Sequence, residues 1–175
     1  KTFLGSNSDP DIINKKNNKI NLKKFDLIIT SHLKRSKSTA NYFKSKKIVQ
    51  NKLINEINYG LADGMNIDQL KKNFPKMITS WRKGIDIKFP RGENSNDVKK
   101  RVDKFLKYLK TINEKKILII SHSFFLRVLL SVFLKLDLKR IYKLQIDYLK
   151  IFKILKRKNI FYSDLDRKEI KRFYN

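Results

Sequence analysis

Two segments of the chain place chemically reactive side chains directly after a short apolar run. The first run ends at Thr30 and Ser31 and is followed by Arg35, and the second ends at Ser121 and is followed by His122. A guanidinium group binds a tetrahedral anion through several N–H donors, and an imidazole can donate to the same anion. This pairing of residue types suits a site that holds a phosphoryl group.

The sequence around these residues predicts the elements that hold them. The apolar runs at residues 25–30 and 116–121 have the length and the branched residues of interior strands, and the second is expected to be buried on both faces. Each run continues directly into a predicted helix, over residues 33–45 and 124–136. In open α/β sheets, ligands bind at the carboxyl ends of the strands, where free amides at helix N-termini favour an anion. The two polar segments are therefore expected to meet at one binding site.

The rest of the chain completes a β-α-β-α alternation. A helix with Ser95 as its N-cap is predicted from an apolar stripe that comprises Val98, Val102, Phe105, Leu106 and Leu109. The other predicted elements are a loop with a short amphipathic segment over residues 1–22, a short strand within 48–57, a helix over 67–74, an irregular connection over 75–92, strands over 148–155 and 160–162, and a charged helix over 166–174.

Composition limits the functions open to this chain. Its 175 residues include 42 Lys and Arg against 16 Asp and Glu, and the resulting net charge of +26 would attract any polyanion. The lysines are spread through every segment and no nucleic-acid-binding motif organises them, so a polyanion-binding module is the weakest hypothesis.

Cysteine is absent, which excludes disulfides, zinc–thiolate sites and a cysteine nucleophile. The longest apolar stretch, residues 117–134, carries His122 and Arg127 near its centre and is interpreted as a buried strand and helix.

Four blocks of the sequence resemble motifs of the histidine phosphatase superfamily, the phosphoglycerate mutase-like proteins. They follow in the family's order: residues 31–40 resemble S-x-L-x-R-A-x-x-T-A, residues 53–64 resemble L-x-E-x-x-x-G-x-x-E-G, residues 89–101 resemble P-x-G-E-S-x-x-D-x-x-x-R, and residues 119–127 resemble V-S-H-G-x-x-x-R. Each motif alone is weak, and the four together in order are specific. Residues 3–5 and 9–10 also fit the loop that follows the family's first motif.

The resemblance implies a role for each matching residue. Arg35 and His122 would bind the equatorial phosphoryl oxygens and stabilise the charge that gathers there in the transition state. Glu56 would be the general acid that protonates the leaving alkoxide. Ser123 and Gly5 would contact the substrate beside Arg35 and His122, and neither a metal nor a cofactor is implied.

The nucleophile that the resemblance implies is a histidine in an Arg-His-Gly motif, which this chain does not contain. That histidine would attack phosphorus and form a phosphohistidine. We expect its segment, an N-terminal strand, just upstream of Lys1. His32 falls at a variable position of its motif and is expected to be a surface residue, and Asp63 is a rival to Glu56 as the acid.

The resemblance predicts one domain over residues 1–175, a three-layer α/β/α sandwich with a mostly parallel central sheet. The function it predicts is a phosphomonoester phosphatase for a small phosphorylated metabolite. The 36 positions from Glu56 to Gly92 are fewer than the mutases carry, which favours a phosphatase over a phosphoglycerate mutase-type phosphotransferase. An inactive relative that binds phosphorylated ligands is the alternative from another class. We expect no specific nucleic acid and no membrane as partners and a cytoplasmic location, and a homodimer stays open.

Overall fold

A computed structural model of the chain describes residues 2–13, 24–144, 146–158 and 160–163. The predicted helix over residues 166–174 lies outside these residues, as does most of the amphipathic segment before residue 24. Residues 2–13 form a loop without regular secondary structure, as the sequence predicts.

A parallel sheet of three strands forms the centre of the fold. The strands are β1 (Leu27–Thr30), β2 (Ile48–Gln50) and β3 (Ile117–Ile120), in the order β2-β1-β3. β1 is hydrogen-bonded on both sides, and all four of its residues are buried. Thr30 at the end of β1 pairs in register with Ile120 at the end of β3, so the two chain segments that follow these strands start side by side.

The prediction that the second apolar run is buried on both faces is wrong. All four residues of β3 are half-buried. β3 forms one edge of the sheet within the described part of the chain, and an edge strand has one side open. The apolar composition of a strand therefore predicted its existence correctly but not its place in the sheet.

Three helices follow the predicted pattern. They are α1 (Lys34–Ala40), α4 (Ser95–Lys110) and α5 (Ser123–Phe133), of which α1 and α5 end earlier than predicted. Four positions of the α4 stripe, Val98, Val102, Phe105 and Leu109, are buried. The N-cap of α4 is Asn94 and not Ser95, because the Asn94 side chain accepts the backbone N–H of Asp97.

The segment between residues 48 and 92 differs most from the prediction. The short strand predicted within residues 48–57 is β2, and a 3-10 turn at Lys52–Ile54 and a loop occupy the rest of that range. α2 (Ile67–Asn73) is where it was predicted. α3 (Pro75–Arg82) occupies part of the predicted irregular connection, because proline is tolerated in the first turn of a helix, where its missing N–H has no partner to lose.

The helices and the parallel sheet make the chain an α/β sandwich, as the sequence predicts. Aliphatic and aromatic side chains of β1, α4 and α5 meet in one core, which includes Ile29, Phe105, Phe125 and Val128. A separate antiparallel hairpin, β4 (Ile154–Arg157) and β5 (Ile160–Ser163), replaces the predicted late strands with shifted boundaries. Within the described residues, no helix has the length and apolar character needed to cross a membrane.

Candidate active site

The polar segments after β1 and β3 meet at the carboxyl edge of the sheet, as predicted. Ser31 Oγ lies 2.6 Å from His122 Nε2. The Ser31 backbone N–H is held by Ser36 Oγ, which itself donates to the Ile120 carbonyl. The segment after β1 is thereby tied to the end of β3, and this tie fixes the distance between α1 and His122.

Arg35 and His122 are in direct contact. Arg35 Nε donates to His122 Nδ1 at 3.3 Å. A guanidinium N–H can only donate, so Nδ1 is the unprotonated nitrogen and the ring proton lies on Nε2. His122 therefore donates from Nε2 to Ser31 Oγ, and this imidazole is neutral.

The environment of His122 keeps it neutral. Its exposed fraction is 8%, and burial together with the charges of Arg35 and Arg101 lowers its pKa to about 3. Two cations near the ring oppose a third positive charge. An incoming anion would offset those cations and make protonation of His122 easier.

The remaining donors of Arg35 hold the N-terminal loop. Nη1 donates to the Ser8 carbonyl at 2.8 Å and Nη2 donates to the Gly5 carbonyl at 3.0 Å. Among the described residues, Arg35 forms no ion pair with a carboxylate. The groups that accept its hydrogen bonds are thus all neutral.

Gly5 lies where a side chain would not fit. The Gly5 N–H donates to Asp63 Oδ1 at 3.0 Å, and a Cβ at this position would approach the Ile57 carbonyl oxygen to 2.7 Å. Because that oxygen belongs to the backbone, it has little room to move. Asp63, the predicted rival acid, also accepts the Asn7 N–H and so anchors the loop.

Glu56 lies at the N-terminus of α5. Its carboxylate accepts the backbone N–H groups of Phe124 and Phe125, at 3.1 and 3.3 Å, and of Ile57 at 3.1 Å. The residue is 7% exposed, and burial raises the pKa of its carboxyl, although these three N–H groups and the charge of Arg35 oppose the rise. Glu56 thus combines a raised pKa with a fixed direction, as a general acid requires.

The expectation of free helix amides at the sheet edge is wrong for three of them, those of Lys34, Phe124 and Phe125. The amides of the first turn of α5 bind Glu56, and the Lys34 N–H at the start of α1 donates to Asp9 Oδ1 at 2.6 Å. Both carboxylates come from residues distant in the sequence, so local spacing did not reveal them. Ser123 is the half-buried first residue of α5, directly after His122.

Arg101 is a residue whose importance the sequence did not reveal. Its guanidinium binds both oxygens of Glu93, from Nε at 2.8 Å and from Nη2 at 2.9 Å. It also donates to the carbonyls of Leu53 and Asn55, at 2.6 and 3.0 Å. The only sequence signal for Arg101 was its position in the third motif. That position did not show which groups the side chain binds.

His32 lies away from this cluster. Its side chain is exposed, and its backbone N–H donates to Asn55 Oδ1 at 2.9 Å. The structure confirms it as a surface residue. In the described part of the chain, no group of three or more His, Cys, Asp or Glu side chains is arranged to hold a metal ion.

A profile of the histidine phosphatase superfamily (branch 1) matches residues 16–163. The matched range contains all four blocks that carry the resemblance, from residue 31 to residue 127. It also contains Arg35, Glu56 and His122.

Individual relatives include proteins of different activity. The 6-phosphofructo-2-kinase/fructose-2,6-bisphosphatase of Arabidopsis thaliana is 35% identical over 115 residues, which are 65% of this chain and only 15% of that protein. The 2,3-bisphosphoglycerate-dependent phosphoglycerate mutase of Buchnera aphidicola is 29% identical over 157 residues, 70% of this chain and 68% of that protein. The α-ribazole phosphatase of Shigella flexneri has the same fold, with a TM-score of 0.70 at 20% identity over 81% of this chain and 72% of that one.

Proposed function

The chain belongs to the histidine phosphatase superfamily. We propose that it is the catalytic domain of a phosphatase that hydrolyses a small phosphorylated metabolite through a phosphohistidine intermediate. One observation carries this proposal. Arg35 and His122 come into contact at the carboxyl edge of the sheet, and the buried acid Glu56 lies on the first turn of the helix that His122 caps. An anion-binding cation, a proton donor and an acid with a raised pKa are the groups that phosphoryl transfer needs.

Arg35 binds the phosphoryl oxygens in the proposed reaction. Its guanidinium is bound to the carbonyls of Gly5 and Ser8, which are neutral acceptors. A phosphate dianion forms stronger, charge-assisted bonds with the same N–H groups and replaces these carbonyls.

His122 supplies a second donor to the same oxygens. In the described geometry its Nε2–H points to Ser31 Oγ, a hydroxyl that accepts one hydrogen bond from the ring. The negative charge of the substrate offsets the cations that lower the pKa of His122, so the ring can take up a proton and donate from both nitrogens.

Glu56 gives its proton to the leaving oxygen. The P–O bond to the leaving group breaks as the nucleophile bonds to phosphorus, and the departing alkoxide takes the Glu56 proton. Water then attacks the phosphohistidine while Glu56 accepts a proton from that water, the P–N bond breaks, and inorganic phosphate leaves. We propose that the nucleophile is the histidine of an Arg-His-Gly segment, a motif that residues 1–175 do not contain.

Hydrolysis is favoured here over phosphate transfer between carbons of one substrate. The relatives include a phosphoglycerate mutase and a fructose-2,6-bisphosphatase, so the family alone does not separate the two. The short interval from Glu56 to Gly92 supports the phosphatase. We propose further that the reaction needs no metal ion and takes place in the cytoplasm.

The test is phosphate release from 4-nitrophenyl phosphate by the natural full-length polypeptide, with Arg157→Lys as a control at an exposed arginine of β4. We expect turnover that chelators leave unchanged and that His122→Ala abolishes. Stabilisation by phosphate without turnover would overturn the phosphatase and favour the inactive phosphate-binding relative. Interconversion of 2- and 3-phosphoglycerate without net hydrolysis would favour the mutase.

A further inference from the structure

Glu56 lies on a loop that has no regular secondary structure to hold it. The loop follows the 3-10 turn Lys52–Ile54 and runs to Tyr59. A loop of this kind would leave the direction of a side chain free unless other groups bind its backbone. The placement of the acid therefore depends on what binds the carbonyls and N–H groups of residues 53–58.

Arg101 on α4 binds three carbonyls between residues 53 and 56, from the 3-10 turn into this loop. Its Nη1 donates to Leu53 and Asn55, and its Nη2 approaches the carbonyl of Glu56 itself at 3.4 Å. The other side of the guanidinium binds Glu93 through two parallel hydrogen bonds. Glu93 Oε2 in turn accepts the Asn58 N–H at 2.9 Å, so the pair binds the loop on both sides of Glu56.

Arg101 also contacts the helix that receives the Glu56 carboxylate. The centre of its guanidinium lies 5.8 Å from the ring centroid of Phe125. The backbone N–H of Phe125 donates to Glu56 Oε1. One side chain thus contacts both the backbone from which the acid extends and the helix turn that binds its carboxylate.

We infer that Arg101 is a positioning residue for the proposed reaction, because it holds the backbone of Glu56 so that the acid reaches the first turn of α5. The inference rests on the proposed function. It is specific to arginine, since five donors in a planar fork are needed to bind a carboxylate and three carbonyls together. Lysine at position 101 would keep the positive charge but would not provide the planar set of N–H donors.

The test compares Arg101→Lys with the unsubstituted natural polypeptide on two esters. An alkyl phosphate needs a proton on its leaving oxygen, whereas 4-nitrophenolate leaves without one. A displaced acid should therefore lower kcat/KM, which reports formation of the phosphohistidine, about tenfold for the alkyl ester and less than about threefold for the aryl ester. Arg157→Lys, at an exposed arginine, should leave both rates unchanged.

A second variant separates positioning from general loss of structure. In Glu56→Gln the acid is absent, so adding Arg101→Lys should reduce kcat/KM no further. Equal losses on both esters, or a further loss in the double variant, would overturn the inference. Glu93→Gln, which keeps the carbonyl contacts of Arg101, should show the same ester selectivity with a smaller loss.

A readout without turnover keeps the inference separate from the proposed function. If the natural polypeptide hydrolyses neither ester, the phosphatase proposal fails, and the positioning of Glu56 is then judged by ¹³C NMR titration of its carboxyl. We expect Arg101→Lys to move the pKa of Glu56 from its raised value toward the ordinary 4.5 as the loop loosens. An unchanged pKa would overturn the inference.

Discussion

Arg35 and Arg101 both bind backbone carbonyls of a loop, but only Arg101 is paired with a carboxylate in the described part of the chain. Arg101 meets the two oxygens of Glu93, and the side chains of this pair are 18% and 22% exposed. Arg35 meets an imidazole and carbonyls, and it has no carboxylate in an ion pair within the described residues. The charge of Arg101 is balanced inside the protein, whereas the charge of Arg35 remains available to an anion from outside.

The two carboxylates at the helix N-termini show the same contrast. Asp9 binds the Lys34 N–H at an exposed position, and Glu56 binds the Phe124 N–H in a buried one. A ligand can displace the first with little loss of packing. The contrast supports the proposed role of Arg35 and its loop in ligand binding, and the inference that Arg101 and Glu56 belong to a fixed frame.

The largest expected effect comes from Arg35→Lys. Lysine presents one compact charge and cannot bind several phosphoryl oxygens in a plane, so kcat/KM should fall about 10²- to 10³-fold. The free energy of unfolding in urea should change by less than about 1 kcal/mol, because only bonds to neutral carbonyls and one imidazole are altered. A large loss of stability with little loss of activity would reverse the assignment of the two arginines.

Arg101→Met should give the opposite pattern, with stability affected first. The substitution leaves Glu93 without its cation and three carbonyls without a donor. We expect the free energy of unfolding to fall by about 2 to 3 kcal/mol, a value reduced for the partial exposure of the pair. Urea denaturation measures it, and a stability equal to that of the unsubstituted chain would contradict the frame role.

The pH dependence of stability isolates His122. Its pKa falls from 6.5 in the unfolded chain to about 3 in the folded protein. Below pH 6.5 the unfolded chain therefore binds a proton that the folded protein does not, and stability is lost as the pH falls toward 3.

The raised pKa of Glu56 has the opposite effect, because it lowers stability as the pH rises above 4.5. The contribution of His122 is therefore isolated by comparison with a variant that lacks this histidine. Relative to His122→Asn, the unsubstituted chain should gain up to about 1.4 kcal/mol of stability per pH unit near pH 5, and about half as much per unit at pH 6.5. Parallel stability curves for the two proteins would show that His122 is not held neutral.

The smallest effect is expected for Asp9→Asn. Asparagine keeps the oxygen that accepts the Lys34 N–H and removes the negative charge near Arg35. Phosphate should bind up to about threefold more tightly, because one charge that repels it is gone. Calorimetric titration with inorganic phosphate measures this, and weaker binding would mean that Asp9 supports the ligand site.

The sequence predicted the parts of this site that depend on adjacent strand ends. Each of the two segments has an apolar run, a hydroxyl residue and a helix start. This local pattern was enough to predict that Arg35 and His122 lie close together. The histidine phosphatase resemblance is confirmed by the match over residues 16–163. Glu56 was chosen through the resemblance alone, and its burial at α5 required the structure.

The parts that the sequence missed depend on contacts between distant segments. Asp9 and Lys34 are 25 positions apart, and Glu56 and Phe124 are 68 apart, so no local spacing connects them. The role of Arg101 depends on carbonyl groups, which every residue has and which no sequence pattern marks. α3 lies within residues 75–92, which were predicted as an irregular connection, and Pro75 is its first residue.

Central to this account is the claim that Arg35 and His122 together bind a phosphoryl group. The most direct measurement is ¹⁵N NMR of the His122 ring in the natural polypeptide, assigned with His122→Asn and titrated with inorganic phosphate. The account predicts that phosphate raises the pKa of His122 from about 3, and that Arg35→Lys greatly weakens this response. A His122 ring that phosphate leaves unchanged would contradict it.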